Sequence, residues 1–231
     1  PRRPPAGRRG RVWVMRHGMR IDEQDVSWRD RSDRPYDPYI TSEGRKQARA
    51  AGELIRRQAL EEGAIRWVVS SPFLRCLQTA AEIANALGIA TIYVDNGLCE
   101  VLQTRNVAVR PQYVRPDTLR LTDGSMARLS FENTGAPEPA WPEELSAARL
   151  RFTRTLERLP MDFGGNTVVV AHGDTVAQFV SLTKSVPEDS VYSVPNCSMV
   201  CADAFSPDGG APVFSRVWVG PDILTLDSMV E

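Results

Sequence analysis

Short apolar runs alternate with longer stretches of helical periodicity along most of the chain. Residues 167–171 (TVVVA) are almost wholly β-branched, which is typical of a buried central strand. Such runs predict strands at 11–15, 66–71, 91–94, 167–171, 198–205 and 213–219. Apolar residues at helical spacing between them predict helices at 43–61, 73–87, 143–159 and 174–184. This alternation favours an α/β fold, a three-layer α/β/α sandwich with a mostly parallel central sheet.

Two segments depart from this pattern. Residues 1–10 (PRRPPAGRRG) lack apolar periodicity, and we expect a disordered basic tail there. Residues 101–142 contain five prolines and little periodicity, so we interpret them as an insertion, or lid, over the carboxyl edge of the strands. We then expect residues 11–231 to form a single domain.

The ends of two predicted helices carry local signals. Thr41 or Ser42 can cap the first helix, because a side-chain oxygen at that position accepts a hydrogen bond from the first turn. Gly88 follows the last periodic residue of the second helix, where a glycine commonly ends a helix in a left-handed conformation.

The composition narrows the classes of protein to which the chain can belong. Its formal net charge is -1, which provides no bulk attraction to nucleic acid or to a membrane surface. No apolar run approaches membrane-spanning length, and the four cysteines have no histidine near them and match no zinc pattern. We expect a cytoplasmic protein with free thiols, no metal site and no cofactor.

The two histidines of the chain, His17 and His172, occupy matching positions. Each follows an apolar strand and precedes a glycine. One histidine in such a place is more often a packed or solvated residue than a functional one. Here both histidines of the chain occupy such a place, which favours a functional role. Functional groups of open α/β sheets gather at the carboxyl ends of the strands. We therefore expect both histidines at that edge of the sheet.

Around these histidines, several segments resemble a known family, the histidine phosphatase superfamily with its phosphoglycerate-mutase-like fold. The three residues Arg16-His17-Gly18 resemble the signature of that family. Later segments resemble its further motifs in the family's order, and they are 37–48 (DPYITSEGRKQA), 70–80 (SSPFLRCLQTA), 97–100 (GLCE), 170–173 (VAHG) and 196–198 (NCS). The resemblance thus extends over most of residues 11–205.

The resemblance implies a metal-independent phosphatase that acts through a phosphohistidine. His17 would attack phosphorus, its other ring nitrogen held by a backbone carbonyl. Glu100 would protonate the leaving alcohol and then activate water. A protonated His172 would also take part in catalysis. Phosphate binding is implied for four side chains, Arg16, Arg20, Arg75 and His172, which would supply the positive charge that a metal supplies elsewhere.

Residues RHGMRID, with a second arginine at Arg20, resemble a narrower branch of the superfamily. That branch contains the phosphatase domain of ubiquitin-associated and SH3-containing regulators and related plant and insect phosphatases. We expect a phosphorylated small molecule or a phosphoprotein as substrate, and phosphotyrosine protein, nucleotide, sugar phosphate and steroid phosphate all stay open.

Two alternatives stay open. A phosphoglycerate mutase-type phosphotransferase is disfavoured, because neither MRIDEQD after RHG nor VLQTRNV after Glu100 resembles the mutase motifs. A catalytically inactive phosphate-binding module is disfavoured because both histidines and three candidate arginines are retained.

Overall fold

A seven-stranded sheet forms the centre of the computed structural model, which describes residues 9–105, 107–208, 210–220 and 222–225. The strands are β1 (Arg9–Arg16), β2 (Ile65–Ser70), β3 (Thr91–Val94), β4 (Ser130–Asn133), β5 (Asn166–Ala171), β6 (Val191–Ser193), β7 (Met199–Phe205), β8 (Val213–Val219) and β9 (Leu224–Thr225). Their order in the large sheet is β4-β3-β2-β5-β1-β7-β8, and β6 pairs separately with β9. Strand β7 runs opposite to the other six strands of the large sheet, because it pairs antiparallel with both β1 and β8.

Helices cover both faces of this sheet. They are α1 (Ile21–Gln24), α2 (Ser42–Glu62), α3 (Leu74–Leu87), α4 (Pro116–Thr122), α5 (Leu145–Phe163) and α6 (Gly173–Lys184). Strand β1 shows the two layers clearly, since Trp13 and Met15 pack with α2 and α3, whereas Val12 and Val14 pack with α5 and α6. The predicted three-layer α/β/α sandwich with a mostly parallel sheet is confirmed.

The predicted helix ends also agree with the structure. The side-chain oxygen of Thr41 accepts a hydrogen bond of 3.0 Å from the backbone N–H of Gly44, so Thr41 rather than Ser42 is the cap of α2. Gly88 ends α3 with a φ of 69°, in the left-handed region that favours glycine.

Two boundaries differ from the sequence-based expectation. Strand β1 begins at Arg9 and pairs from that residue with Phe205, so the last two residues of the predicted tail belong to the sheet. Residues 1–8 lie outside the described part. Within the predicted insertion, β4 pairs in parallel with β3 and forms an edge of the sheet. Its side chains are mostly exposed, and an exposed edge strand lacks the apolar run that marks a buried one.

The sheet register brings the two strand ends that carry histidines together. Strands β1 and β5 are adjacent and parallel, and Arg16 at the end of β1 lies opposite Ala171 at the end of β5. His17 and His172 are the next residues, so they leave the sheet side by side at its carboxyl edge, as expected. Among the residues that the structure describes, no helix is long and apolar enough to cross a membrane.

Candidate active site

His17 is held rigidly in a single tautomer. Its backbone N–H donates to the carbonyl of Ala171 at 3.0 Å, and its ring is buried. Ring Nδ1 lies 2.9 Å from the carbonyl oxygen of Gly18, which can only accept, so Nδ1 carries the proton. Burial, together with the charges of Arg75 and its neighbours, lowers the pKa of His17 well below its ordinary value. The neutral ring therefore keeps a lone pair on Nε2.

The loop after His17 is pressed against the start of α2. A Cβ atom at Gly18 would lie 2.5 Å from the carbonyl oxygen of Gly44, a distance that no side chain can tolerate. The N–H of Gly18 donates to the hydroxyl of Thr79 at 3.0 Å, and that of Met19 donates to Gln47 at 3.0 Å. The glycine that follows the histidine is thus required by close packing between two elements.

His172 lies beside His17, with 5.6 Å between the ring centroids. Its Nδ1 is 3.2 Å from a guanidinium nitrogen of Arg75, and its Nε2 is 2.9 Å from the hydroxyl of Ser71. The same Nδ1 also lies 3.2 Å from a carboxylate oxygen of Glu100, so it faces a donor and an acceptor at once.

The protonation state of His172 departs from the sequence-based expectation of a protonated ring. Burial and the charge of Arg75 lower the pKa of His172 to about 4, although Glu100 opposes this shift. The ring is neutral near pH 7 for this reason. A phosphate dianion bound beside it would favour the protonated form.

Arg75 is the most buried of the three candidate phosphate-binding arginines. It lies in the first turn of α3, with its guanidinium 4.5 Å from the ring centroid of Phe73. It donates to the carbonyl of Tyr36 at 3.4 Å and lies 3.4 Å from Glu100. Its buried Nε has no hydrogen-bond partner among the described residues. A buried donor without a partner is costly, so this N–H is suited to an anionic ligand.

Arg16 and Arg20 are oriented by one carboxylate. Arg16 donates to the carbonyl of Val194 at 2.7 Å and to Glu23 at 3.0 Å. The Nε of Arg20 lies 3.0 Å from Asp22 and 3.3 Å from the same Glu23 oxygen. Burial and the nearby Arg75 lower the pKa of Arg20, which indicates that the guanidinium groups share one small region. Shared positive charge of this kind is suited to a dianion.

Glu100 faces the histidines from the loop after β3. One of its carboxylate oxygens lies 3.2 Å from Nδ1 of His172. Burial favours its protonated form, but His172, Arg75 and the N–H of Val101 lower the pKa of Glu100 well below its ordinary value. Since His172 is neutral, Arg75 supplies the lasting positive charge, and Glu100 is ionised near pH 7.

The six predicted site residues therefore lie in one region of the structure. A family model described as "Histidine phosphatase superfamily (branch 1)" matches residues 12–217. The chain belongs to the histidine phosphatase superfamily. This match covers most of the sequence and confirms both the family expected from the motifs and the enzyme class, a phosphatase.

Solved structures of other members have the same fold. An ecdysone phosphate phosphatase from Bombix mori, in complex with tungstate, is 20% identical, with a TM-score of 0.62 over 84% of this chain and 88% of that one. A mycobacterial glucosyl-3-phosphoglycerate phosphatase is 20% identical, with a TM-score of 0.56 over 92% of this chain and 100% of that one. A phosphoserine phosphatase from Entamoeba histolytica is 17% identical, with a TM-score of 0.55 over 93% and 100%. No curated protein sequence matches the chain significantly.

Sequence reasoning missed several residues that support this histidine phosphatase site. Ser71 holds His172, Thr79 holds the loop after His17, and Glu23 contacts both Arg16 and Arg20. Ser71 and Thr79 lie within the segment that resembles a family motif, but Glu23 has no sequence signal. Groups of three or more metal-ligating side chains are absent from the described residues.

Proposed function

We propose that this chain is a metal-independent phosphomonoester hydrolase that forms a phosphohistidine on His17. The observation that carries the proposal is the tautomer of His17: its Nδ1 proton is fixed on Gly18, so Nε2 retains its lone pair. A low pKa keeps the ring neutral in spite of the surrounding guanidinium groups. A neutral nucleophile in a positively charged, buried site is what attack on a phosphate dianion requires.

In the first step, Nε2 of His17 attacks phosphorus and the bond from phosphorus to the ester oxygen breaks. Arg16, Arg20 and Arg75 neutralise the non-bridging oxygens. The phosphoryl charge beside Glu100 raises the pKa of its carboxyl, so the protonated acid is available when substrate is bound. Glu100 then donates its proton to the leaving oxygen, and the alcohol departs.

In the second step, the carboxylate of Glu100 takes a proton from water, and the water oxygen attacks phosphorus. The bond between phosphorus and Nε2 breaks, which returns the lone pair to His17 and releases inorganic phosphate. His172 donates to the phosphoryl oxygens in both steps, in the protonated form that the bound dianion favours. One difficult hydrolysis is divided in this way into two easier displacements.

We infer that the substrate is a phosphorylated small molecule or a phosphoprotein. The similar structures include enzymes named for ecdysone phosphate and for glucosyl-3-phosphoglycerate, which supports a small-molecule ester. A cytoplasmic location is part of the proposal, and the four free cysteines among the described residues support it.

Hydrolysis of para-nitrophenyl phosphate by the wild-type chain and by His17→Ala tests the proposal. We expect measurable wild-type turnover and a loss of at least about 1,000-fold in the variant, because the nucleophile is gone. Brief reaction followed by alkaline quenching should trap an acid-labile phosphoryl group on the wild type alone. Substantial residual hydrolysis by a folded variant would identify another nucleophile.

The same assay distinguishes the alternatives. A mutase-type phosphotransferase would hydrolyse this ester poorly and would transfer phosphate between positions of a sugar acid, and an inactive module would bind phosphate without turnover. EDTA should leave the wild-type rate unchanged. A rate that collapses in EDTA and returns with a divalent ion would contradict an arginine-based site.

A further inference from the structure

Arg151 on α5 donates three of its hydrogen bonds to the loop that carries Glu100. One of its terminal nitrogens donates to the carbonyls of Gly97 and Cys99, both at 2.9 Å. The other donates to the carbonyl of Glu100 itself at 3.2 Å. Three carbonyls along one short loop thus accept from a single guanidinium. An arginine fork with several donors in one plane can make this arrangement, whereas a lysine cannot.

The remaining donors of Arg151 bind a buried carboxylate. Its Nε donates to one carboxylate oxygen of Glu143 at 2.8 Å. The terminal nitrogen that donates to the carbonyl of Glu100 also donates to the other oxygen of Glu143 at 2.6 Å. All five N–H groups of Arg151 are therefore used. The exposed fraction is 13% for the Arg151 side chain and 5% for that of Glu143.

Glu143 joins this pair to the chain just after Glu100. Its backbone N–H donates to the carbonyl of Leu102 at 3.0 Å, and its carboxylate lies 3.5 Å from the N–H of Leu102. The pair thus holds the loop on both sides of Glu100. Residues 97–102 have no regular structure beyond the end of a short helical turn at Asn96–Leu98, so the segment has little structure of its own to fix the carboxylate.

We propose that Arg151 and Glu143 are a positioning pair for Glu100, fixing the backbone from which the acid reaches the leaving oxygen. The inference rests on the proposed function, because it takes Glu100 as the general acid. Neither residue touches the reacting atoms. Loss of the pair should therefore impair proton donation to the leaving group while leaving attack by His17 and the phosphate-binding arginines in place.

A series of para-substituted phenyl phosphates tests this role, because the esters differ in leaving-group acidity but little in size. The readout is the dependence of kcat/KM on leaving-group pKa, since kcat/KM includes only the steps up to the departure of the phenol. A nitro-substituted phenol leaves without help, whereas a methoxy-substituted phenol needs a proton. For Arg151→Met we expect a loss below about 3-fold on the nitro ester and about 100-fold on the methoxy ester, within the usual range of general-acid effects.

Three further variants complete the comparison. Glu100→Gln should show the same selective loss, and the double variant with Arg151→Met should lose no more than Glu100→Gln alone, because both remove one function. Glu143→Gln, which keeps the shape of the side chain, should give a smaller selective loss. Arg45→Met is the matched control, because Arg45 is likewise a partly buried arginine with several partners. It bridges two carboxylates, Glu82 at 2.9 Å and Asp123 at 2.6 Å, on the opposite face of the sheet. It should lower stability without changing the leaving-group dependence.

The outcomes separate the inference from the proposed function. If Glu100→Gln is selective but Arg151→Met and Glu143→Gln lose activity equally on all esters, the pair is merely structural and the inference is overturned. If Glu100→Gln itself shows no selectivity, the acid is another group, and both the general-acid assignment and the inference are overturned while His17 remains testable by phosphoryl trapping. Urea unfolding of each variant verifies that it is folded under the assay conditions, and Glu143→Gln serves if Arg151→Met is not.

Discussion

His17 and His172 are identical side chains whose ring nitrogens have different partners. Nδ1 of His17 donates to a carbonyl, whereas Nδ1 of His172 lies 3.2 Å from both a guanidinium nitrogen of Arg75 and a carboxylate oxygen of Glu100. The first arrangement leaves Nε2 of His17 as a nucleophile, and the second places the ring of His172 between a cation and an anion. Their roles in catalysis are therefore assigned by the neighbours of the rings rather than by the rings themselves.

Arg75 is the residue on which this difference depends most. Its guanidinium contacts His172, Glu100 and the carbonyl of Tyr36 at once. Arg75→Lys keeps the positive charge but replaces a planar fork by one point donor. We expect kcat/KM for para-nitrophenyl phosphate to fall about 100-fold, which is roughly 2.7 kcal/mol of transition-state stabilisation.

The control for this substitution is Arg56→Lys, which changes an exposed arginine on α2 that pairs with Glu53 at 2.7 Å. Its kcat/KM should equal that of the wild type. If Arg75→Lys also retained full activity, a planar arrangement of donors at residue 75 would be unnecessary for catalysis.

At the scale of elements, the loop after β1 and the first turn of α2 fit together through two glycines. A Cβ at Gly44 would lie 2.4 Å from the carbonyl oxygen of Met19 and 2.9 Å from its nitrogen. This contact determines where the residues after His17 run. The helix therefore contributes to the site without placing a side chain in it.

Gly44→Ala tests this contact, because two effects of known size oppose each other. Alanine in a helix is favoured over glycine by about 1 kcal/mol, but forced overpacking costs about 1–3 kcal/mol. We expect the clash to prevail, because the atoms met are backbone atoms that cannot turn away. Urea unfolding should show a net loss of about 1–2 kcal/mol, and phosphatase activity should fall as the loop shifts.

Gly124→Ala is the matched control, since a Cβ at Gly124 would meet nothing within 4 Å. It should be neutral or slightly stabilising, because alanine restricts the unfolded chain. A Gly44→Ala variant as stable and active as the wild type would show that the loop can move away from α2 without consequence.

At the scale of the whole molecule, burial of both histidines links stability to pH. Each has a folded-state pKa below its ordinary value of 6.5, and that of His172 is about 4. Below pH 6.5 the unfolded chain takes up protons that the folded chain does not, so protons favour unfolding. The histidine contribution is fully present above pH 6.5 and is lost as the pH falls toward about 4.

We expect the free energy of unfolding to decrease as the pH is lowered from 6.5 to 4.5, by up to about 1.4 kcal/mol per pH unit for each histidine. The sequence contains no third histidine, and the carboxylates whose pKa is lowered, such as Glu100 and Asp123, titrate at lower pH. Urea unfolding at several pH values measures this slope. His172→Gln should reduce it by about half, and an unchanged slope would contradict a buried, neutral His172.

The sequence by itself determined the features whose cause is local. Apolar alternation and helical spacing predicted β1, β5, α2 and α3, because burial on one or two faces imposes those periods on any chain. Thr41 and Gly88 marked helix ends because capping depends on adjacent backbone groups. His17 and His172 were recognisable because both directly follow predicted strands.

Only the tertiary structure decided what depends on residues distant in the chain. Strand β4 has no burial pattern, and it forms because the edge of β3 offers backbone partners. Arg151 lies 51 residues from Glu100 and had no motif, so only packing of α5 reveals what it holds. The pKa of His172 is lowered because burial and the charge of Arg75 both act on its ring. Periodicity and capping depend on residues that are close in the sequence. The pKa values of the site residues and the hydrogen bonds that hold the Glu100 loop depend instead on neighbours that only folding brings together.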